Sequence, residues 1–374
     1  MKKIFSKKDR LIDSLFVTVC AFILLSLGIC VYTLPKSDFS EEENRALSDA
    51  PRFSVSSLRS GDFFTELSAF YSDNIPLRRQ MISTKALCEL GLGRQQNNNV
   101  IFSRDGRLAD KCVYKSTDLL EQNLSAILRF GQSYGGAFIC RTVPRSIDVC
   151  VGPLPLYRSE QAQRVTDAVK NAGLYSDSFA CALSSDSYYK TDHHLTAEGA
   201  YTLYLSLANE LGFSPYGISD FTVNQVCDDF LGSTYSKAGL IPTAYDSITL
   251  YRYVGDDKYK IVCSDSGCAL HSLYDMSKLS QKDKYQVFLG GNHGLVSISA
   301  DHGSQRPKLL IIKDSFANAV IPLLARHFDL TVVDPRYCNT PISQILDSSD
   351  PDALLLLCGI DTLATNGAFK KFFR

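Results

Sequence analysis

The longest apolar run lies near the start: from Ser14 to Leu34 no side chain is charged. Wound as a helix at about 1.5 Å per residue, such a run reaches across a bilayer core of about 30 Å. A polar, acidic stretch follows from Lys36 to Pro51, which reads as a stalk. Then Phe63, Phe64, Leu67, Phe70 and Tyr71 recur at helical spacing, as do Met81, Ile82, Leu87 and Leu90. Asp73-Asn-Ile-Pro76 separates the two patterns. They predict a pair of amphipathic helices packed on the domain that follows, with Arg78 and Arg79 on a solvated face.

From Asn99 the periodicity changes. Val100-Ile-Phe102 predicts a strand and Asp105-Gly106 a hairpin turn. Leu119 to Phe130 predicts a helix, Ala137 to Val143 a strand, Arg158 to Ala172 a helix, and Leu174-Tyr175 a further short strand. Ala200, Leu203, Leu207 and Leu211 form the apolar stripe of a helix that Thr196 is placed to cap. Tyr285 to Leu289 reads as a strand entering a glycine turn. Leu309 to Ile312 is a fully apolar strand, with Phe316, Ala319, Val320, Leu323 and Leu324 marking one face of a helix beyond it. Leu330 to Val333 and Ala353 to Cys358 are further buried strands, with a short helix at Ile342 to Leu346 between them. Strands alternating with helices predict an α/β fold with a parallel sheet. Residues 213–285, rich in Tyr, Asp, Ser and Gly, read as a β-rich insertion. The expected organisation is a basic tip and transmembrane anchor at 1–35, a stalk with amphipathic helices at 36–95, and an α/β domain at 96–374.

Composition sharpens this only in places. With 45% hydrophobic and 21% charged residues, the chain is globular in type. Lys2, Lys3, Lys7, Lys8 and Arg10 precede the apolar run, so the positive-inside rule leaves them cytoplasmic and everything after Pro35 outside. A cleaved signal peptide is the alternative, and it gives the same address. Beyond residue 35 there are 34 basic and 38 acidic side chains, a net −4, which offers no nucleic-acid surface. The twelve cysteines lack metal-type spacings. Cys140 and Cys358 sit in apolar strands as small hydrophobes. Cys263 and Cys268 are near enough in sequence for a local bridge.

Candidate chemistry gathers at three strand ends and loops. Lys313-Asp-Ser315 follows the apolar strand, where open α/β sheets bind ligands. Ser315 there is either a helix cap or a nucleophile beside unpaired backbone N–H groups. Asp192-His-His194 precedes the helix capped by Thr196, and it holds two of the six histidines. His194 suits a general base and Asp192 an orienting group. Their spacing leaves a direct hydrogen bond between the two open. Gly290-Gly291-Asn292 is either a plain turn or a place where glycines let backbone N–H groups approach a ligand closely. The Ser315 N–H is a candidate oxyanion donor. Arg336, just past a strand end, is placed to touch substrate or brace its loop.

Several segments resemble the DHHW family of SGNH-like hydrolases. They are Tyr189-Lys-Thr-Asp-His-His-Leu-Thr196, Glu43-Asn44-Arg45 with Ser60-Gly61, Leu289-Gly-Gly-Asn-His-Gly294, Lys313-Asp-Ser-Phe-Ala-Asn318 and Asp334-Pro-Arg-Tyr337. Phe230-Leu-Gly-Ser233 resembles another family segment without a stated role. The family is similar to membrane-linked O-acetyltransferases that modify alginate and other exopolysaccharides. Leu195 stands where the family's name implies tryptophan, which bears on packing beside His194 or on the acceptor surface.

The resemblance implies a flavodoxin-like, SGNH-hydrolase three-layer α/β/α domain. It also implies a triad of Ser315 as nucleophile, His194 as base and Asp192 as orienting group. His193 is not the base. An inward-facing hydrogen bond to the backbone is its expected place, and it stands with Asn292, Gly291 and Arg336 among the oxyanion and substrate candidates. The implied function is an extracytoplasmic O-acyltransferase or esterase acting on acetyl esters of a polysaccharide, held at the cell membrane by its N-terminal helix. No cofactor or metal is implied, and a membrane-bound acyltransferase is the implied acyl source. Two other readings stand beside it: a metal phosphoesterase built on Asp-His-His, and a degenerate module that binds glycan or assembles an envelope complex.

Overall fold

The computed structural model describes residues 7–40, 45–114, 116–150, 159–239, 244–254, 258–264, 270, 272–300 and 306–374. Lys2, Lys3, Glu43, Asn44, Arg158 and Cys268, named above, lie outside these. Two compact units divide the chain, Met1–Leu92 and Gly93–Arg374.

In the first unit, α1 runs Lys7–Thr33. Its segment Leu11–Thr33, 23 residues, is long and apolar enough to cross a membrane, and its large apolar side chains are mostly exposed. It fits a membrane anchor or a signal sequence. Near its end the Tyr32 ring meets Phe70 at 5.6 Å and Tyr71 at 5.8 Å. These two belong to α3, Asp62–Asn74, which follows the short α2, Val55–Ser60. Ser54 caps α2 through its side chain, which accepts from Ser57 N–H. Beyond the predicted break comes α4, Arg78–Gly91.

The second unit opens with the expected hairpin. Strand β1, Val100–Phe102, pairs antiparallel with β2, Leu108–Asp110. Helix α5 is Asp118–Ser133, β3 Ala137–Val143, α6 Glu160–Asn171 and α7 Ala197–Leu211. Then β4, Phe221–Phe230, pairs with β5, Asp246–Tyr253, as a separate two-stranded sheet. Strand β6, Tyr259–Cys263, leaves the insertion and becomes an edge of the main sheet. The remaining strands are β7 at Leu295–Ala300, β8 at Lys308–Lys313, β9 at Asp329–Val333 and β10 at Ala353–Gly359.

The main sheet has the order β3-β10-β8-β9-β7-β6. The first four strands are mutually parallel, while β7 runs antiparallel to β9 and β6 antiparallel to β7. Strand β8 is therefore central. Leu310 faces Leu354 on one neighbour and Thr331 on the other. Its side chains alternate between two cores. Leu309 and Ile311 join Leu355, Leu357 and the α7 residues Leu203 and Leu207. Leu310 and Ile312 join Leu354, Leu356, the α5 residues Leu120 and Ile127, and the α6 residues Val165 and Val169. Burial on both faces explains the unbroken apolar run. Each of these side chains contributes about 1.5–3 kcal/mol on removal from water.

Three local expectations are corrected. Leu174-Tyr175 forms no strand; Leu174 C=O accepts from Thr142 N–H and Oγ–H in a turn beside β3. The Tyr285 segment is a 3₁₀ turn, Lys284–Val287, because Tyr285, Val287 and Phe288 all enter one core, which an alternating strand could not do. The stretch after Ser315 is not one helix. A 3₁₀ turn, Ser315–Ala317, is followed by a short helix, Ile321–Leu324. Pro322 lies in the first turn of that helix, the place where its missing N–H costs nothing.

Cys140 and Cys358 are free and lie in adjacent strands. Cys263 is disulfide-bonded.

Candidate active site

The loop between Ser187 and α7 is closed on itself. Thr196 N–H donates to Ser187 C=O at 2.9 Å, Tyr189 N–H to His194 C=O at 3.3 Å, and Tyr188 bridges Leu195. Thr196 caps α7 as expected, its Oγ accepting from Gly199 N–H at 3.2 Å. Gly199 lets the helix approach: a Cβ there would stand 2.2 Å from Ser187 C=O. Arg107 donates to the carbonyls of Tyr188 and Tyr189, both at 3.2 Å. Asp246 from β5 accepts from Lys190 N–H and from the N–H and hydroxyl of Thr191, at 2.8, 2.7 and 2.6 Å. The six-residue segment Tyr189–His194 is thereby held from two directions.

That frame aims three side chains at one another. His194 Nδ1 lies 2.5 Å from Asp192 Oδ1, and His194 Nε2 lies 2.8 Å from Ser315 Oγ. Asp192 is buried, and its carboxylate can only accept. Nδ1 therefore carries the proton and Nε2 is the acceptor that faces the serine hydroxyl. Asp192 Oδ1 also accepts from His194 N–H at 2.9 Å. Its Oδ2 accepts from Ser233 N–H at 2.7 Å and from Ser233 Oγ at 2.8 Å. All four acceptor positions of the carboxylate are filled.

Burial alone would raise the Asp192 carboxyl, but the two histidines and the hydrogen bonds from His194 outweigh it and hold it well below the usual carboxylate range. Burial, reinforced by His193, pulls the His194 pKa below that of an ordinary imidazole, against the opposing pull of Asp192. His194 is thus neutral at neutral pH, the state a proton acceptor needs.

The rings around His194 set its orientation. Tyr285 stacks on it at 3.9 Å with an interplanar angle of 9°, and Phe316 lies 5.2 Å away. Tyr285 OH donates to Ser315 C=O at 3.3 Å. His193 does not turn inward to the backbone. It is the most exposed of the group, its ring centre 4.0 Å from that of His194. The Ser233 hydroxyl gives its proton to Asp192, so at 2.9 Å it accepts from His193 Nδ1–H. Leu195 is fully buried in the core with Tyr188 and Leu203, so it forms no part of an acceptor surface.

At Ser315 the cap is Asp314, not the serine. Asp314 Oδ1 accepts from Phe316 N–H at 2.9 Å, and Oδ2 from Gly359 N–H and Thr362 Oγ–H. The serine hydroxyl is released from capping for His194, and Ser315 N–H meets no acceptor among the described residues. The Gly291 N–H is engaged: it donates to Phe288 C=O at 3.2 Å, which removes it as an oxyanion donor. Asn292 is exposed, and its Oδ1 accepts from Lys313 Nζ and from Asn318 Nδ2, both at 3.2 Å. Arg336 braces its loop by a two-point pair with Asp334, at 2.9 and 2.7 Å.

The sequence reading left Ser233, Gly232, Tyr285 and Lys313 without roles. Only the Phe230-Leu-Gly-Ser segment carried a signal, and Gly232-Ser233 is where it meets Asp192. Asp192, His193 and His194 are also a group with ligand atoms within 4.8 Å of one another, a possible cation cage. The shortest bond of the triad would have to break to use Asp192 Oδ1 and His194 Nδ1 as ligands.

The model of the family described as DHHW protein matches residues 175–333. The resemblance read from the motifs is to that family. The DHHW segment contains Asp192, His194 and Ser315. Among curated proteins none matches the sequence. The fold is similar to a DHHW family protein from Eubacterium siraeum DSM 15702, at 20% identity and a TM-score of 0.59, over 74% of this chain and 96% of that one. It is also similar to Bacillus cereus PatB1, solved with a sulfonyl adduct, at 20% identity and a TM-score of 0.61, over 74% and 99%. Likeness at this identity shows a shared α/β fold.

Proposed function

We propose that the Gly93–Arg374 unit is an SGNH-like, flavodoxin-type α/β/α enzyme that transfers or hydrolyses acetyl esters of a polysaccharide outside the cytoplasm. The observation that carries this is the unbroken line from Asp192 through His194 to Ser315 Oγ, with bonds of 2.5 and 2.8 Å. A serine hydroxyl becomes a nucleophile when a base within hydrogen-bond reach takes its proton and a third group orients that base. In the first half-reaction His194 Nε2 takes the Ser315 proton while Oγ bonds to the acetyl carbonyl carbon. The carbonyl oxygen becomes an oxyanion, which hydrogen bonds from Ser315 N–H and the Asn292 amide would stabilise. As the donor's ester bond breaks, His194 returns the proton to the departing oxygen and acetyl-Ser315 remains. A sugar hydroxyl or a water then gives its proton to His194 and attacks the acetyl carbon, and Ser315 regains its hydrogen.

The α1 helix supports anchoring at the membrane, where a membrane-bound acyltransferase would present the acyl group. The family resemblance supports a polysaccharide acceptor. A similar fold has been solved with a sulfonyl adduct, which makes sulfonyl fluorides and fluorophosphonates the probes of choice. Full-length protein in detergent is expected to be labelled at Ser315 and to turn over an activated acetyl ester, and Ser315→Ala is expected to lose both. Labelling elsewhere, or equal turnover by the mutant, ends the serine reading. Chelator is expected to leave turnover unchanged, and its abolition would favour a metal held by Asp192, His193 and His194.

A further inference from the structure

Behind Ser315 lies a buried polar cluster that the proton relay does not use. Lys313 ends β8 and is buried, with Nζ near three acceptors: Asn318 Oδ1 at 2.8 Å, Asn292 Oδ1 at 3.2 Å and Asp334 Oδ2 at 3.5 Å. An ammonium has three donors and no acceptor, so all three of its hydrogens are placed. Burying such a charge is costly unless every partner is supplied, and burial pulls the Lys313 pKa down against Asp334. A methionine or leucine would fill the same space more cheaply.

The cluster has one directional consequence. An asparagine amide can sit either way round, and its neighbours decide which. Because Lys313 can only donate, it compels both Asn318 and Asn292 to present their oxygens. Asn318 then turns its Nδ2 to Asn292 Oδ1 at 3.2 Å and to Gly291 C=O at 3.4 Å. Asn292, exposed as a residue and held by its oxygen from two sides, has Nδ2 hydrogens that meet no acceptor among the described residues. Asn318 belongs to the same turn as the nucleophile, its N–H donating to Ser315 C=O at 3.2 Å.

We propose that Lys313 is a positioning residue that fixes the flip of the Asn292 amide, so that Nδ2–H rather than Oδ1 meets the oxyanion formed at Ser315. The inference rests on the acyl-serine reading above. It accounts for a lysine buried at a strand end two residues before the serine, whose third partner, Asp334, is also paired with Arg336.

The test compares Lys313→Met, Asn292→Ala and the double variant in full-length protein, using turnover of an activated acetyl ester and fluorophosphonate labelling rate. Lys313→Met leaves the Asp334–Arg336 pair intact. It is expected to lower kcat by roughly 10- to 100-fold with KM nearly unchanged, up to the about 10²-fold at which outright loss of one oxyanion donor begins. Acting through Asn292, it is expected to add no more than about twofold in the Asn292→Ala background. Full kcat in Lys313→Met, or losses that multiply in the double variant, overturn the proposal. Asn292→Asp provides a second route that does not disturb the buried cation. Its carboxylate keeps an oxygen toward Lys313 but offers no N–H, so turnover is expected to fall to the Asn292→Ala level. Wild-type turnover in Asn292→Asp overturns the proposal. Failure of the underlying reading is distinct, because wild-type protein would then show no labelling of Ser315.

Discussion

Adding one methyl group at Gly232 should disable the site without touching any group that moves a proton. Gly232 has φ −82° and ψ −171°, an extended conformation open to any residue, so alanine meets no backbone strain. The obstacle is Asp192. A Cβ at Gly232 would lie 2.2 Å from Asp192 Cβ, 2.4 Å from its Oδ2 and 2.6 Å from its Cγ. Carbon atoms rest at about 3.5–4.0 Å, so the two loops must part by about 1 Å or more. Overpacking of this kind costs about 1–3 kcal/mol of stability. The catalytic cost is separate. Parting the loops pulls Asp192 Oδ2 from Ser233 N–H and Oγ, at 2.7 and 2.8 Å, and turns Oδ1 away from His194 Nδ1. A misplacement of about 1 Å is worth about 10²-fold in rate, or about 2.7 kcal/mol of barrier. Gly232→Ala is therefore expected to keep its fold, lose a few degrees in Tm, and drop about 100-fold in kcat for an activated acetyl ester. Thermal melts and steady-state kinetics on the same preparation check this. Wild-type kcat with wild-type Tm would refute the idea that Gly232 sets the position of Asp192.

Three further outcomes are expected. In the proposed mechanism acylation requires neutral His194, so kcat/KM is expected to rise with pH through an inflection below the ordinary imidazole value of about 6.5 and then level off. His193 helps to lower the His194 pKa, so His193→Asn is expected to move that inflection upward; a pH–rate profile shows the shift or its absence. Leu195→Trp, the residue the family's name implies, is expected to destabilise this chain by about 1–3 kcal/mol, because the site is fully buried and packed around leucine. A denaturation midpoint at or above wild type would contradict that.

Much of the site was legible because its parts are local. A fully apolar strand followed by a polar turn identifies Ser315 as a strand-end residue from the sequence alone. A cluster of aspartate and histidine just before a capped helix identifies Asp192 and His194. The charged tip and the uncharged run from Ser14 to Leu34 predict the long apolar helix. These signals depend on periodicity and on neighbours within one or two turns, which the chain carries with it.

What only the tertiary structure decided was which group each of these meets. His194 and Ser315 are 121 residues apart, Asp192 and Ser233 are 41 apart, and no periodicity encodes either approach. The same holds for Asp314, which takes the capping role and so releases the serine hydroxyl. Gly291 reads as an anion donor, yet its N–H closes a turn. Tyr285 reads as a strand residue but is drawn into a 3₁₀ turn that lays its ring on His194. Hydrogen bonds and ring contacts depend on distances of a few tenths of an ångström. Such distances are set when two cores pack on both faces of the sheet, after the local pattern has said all it can.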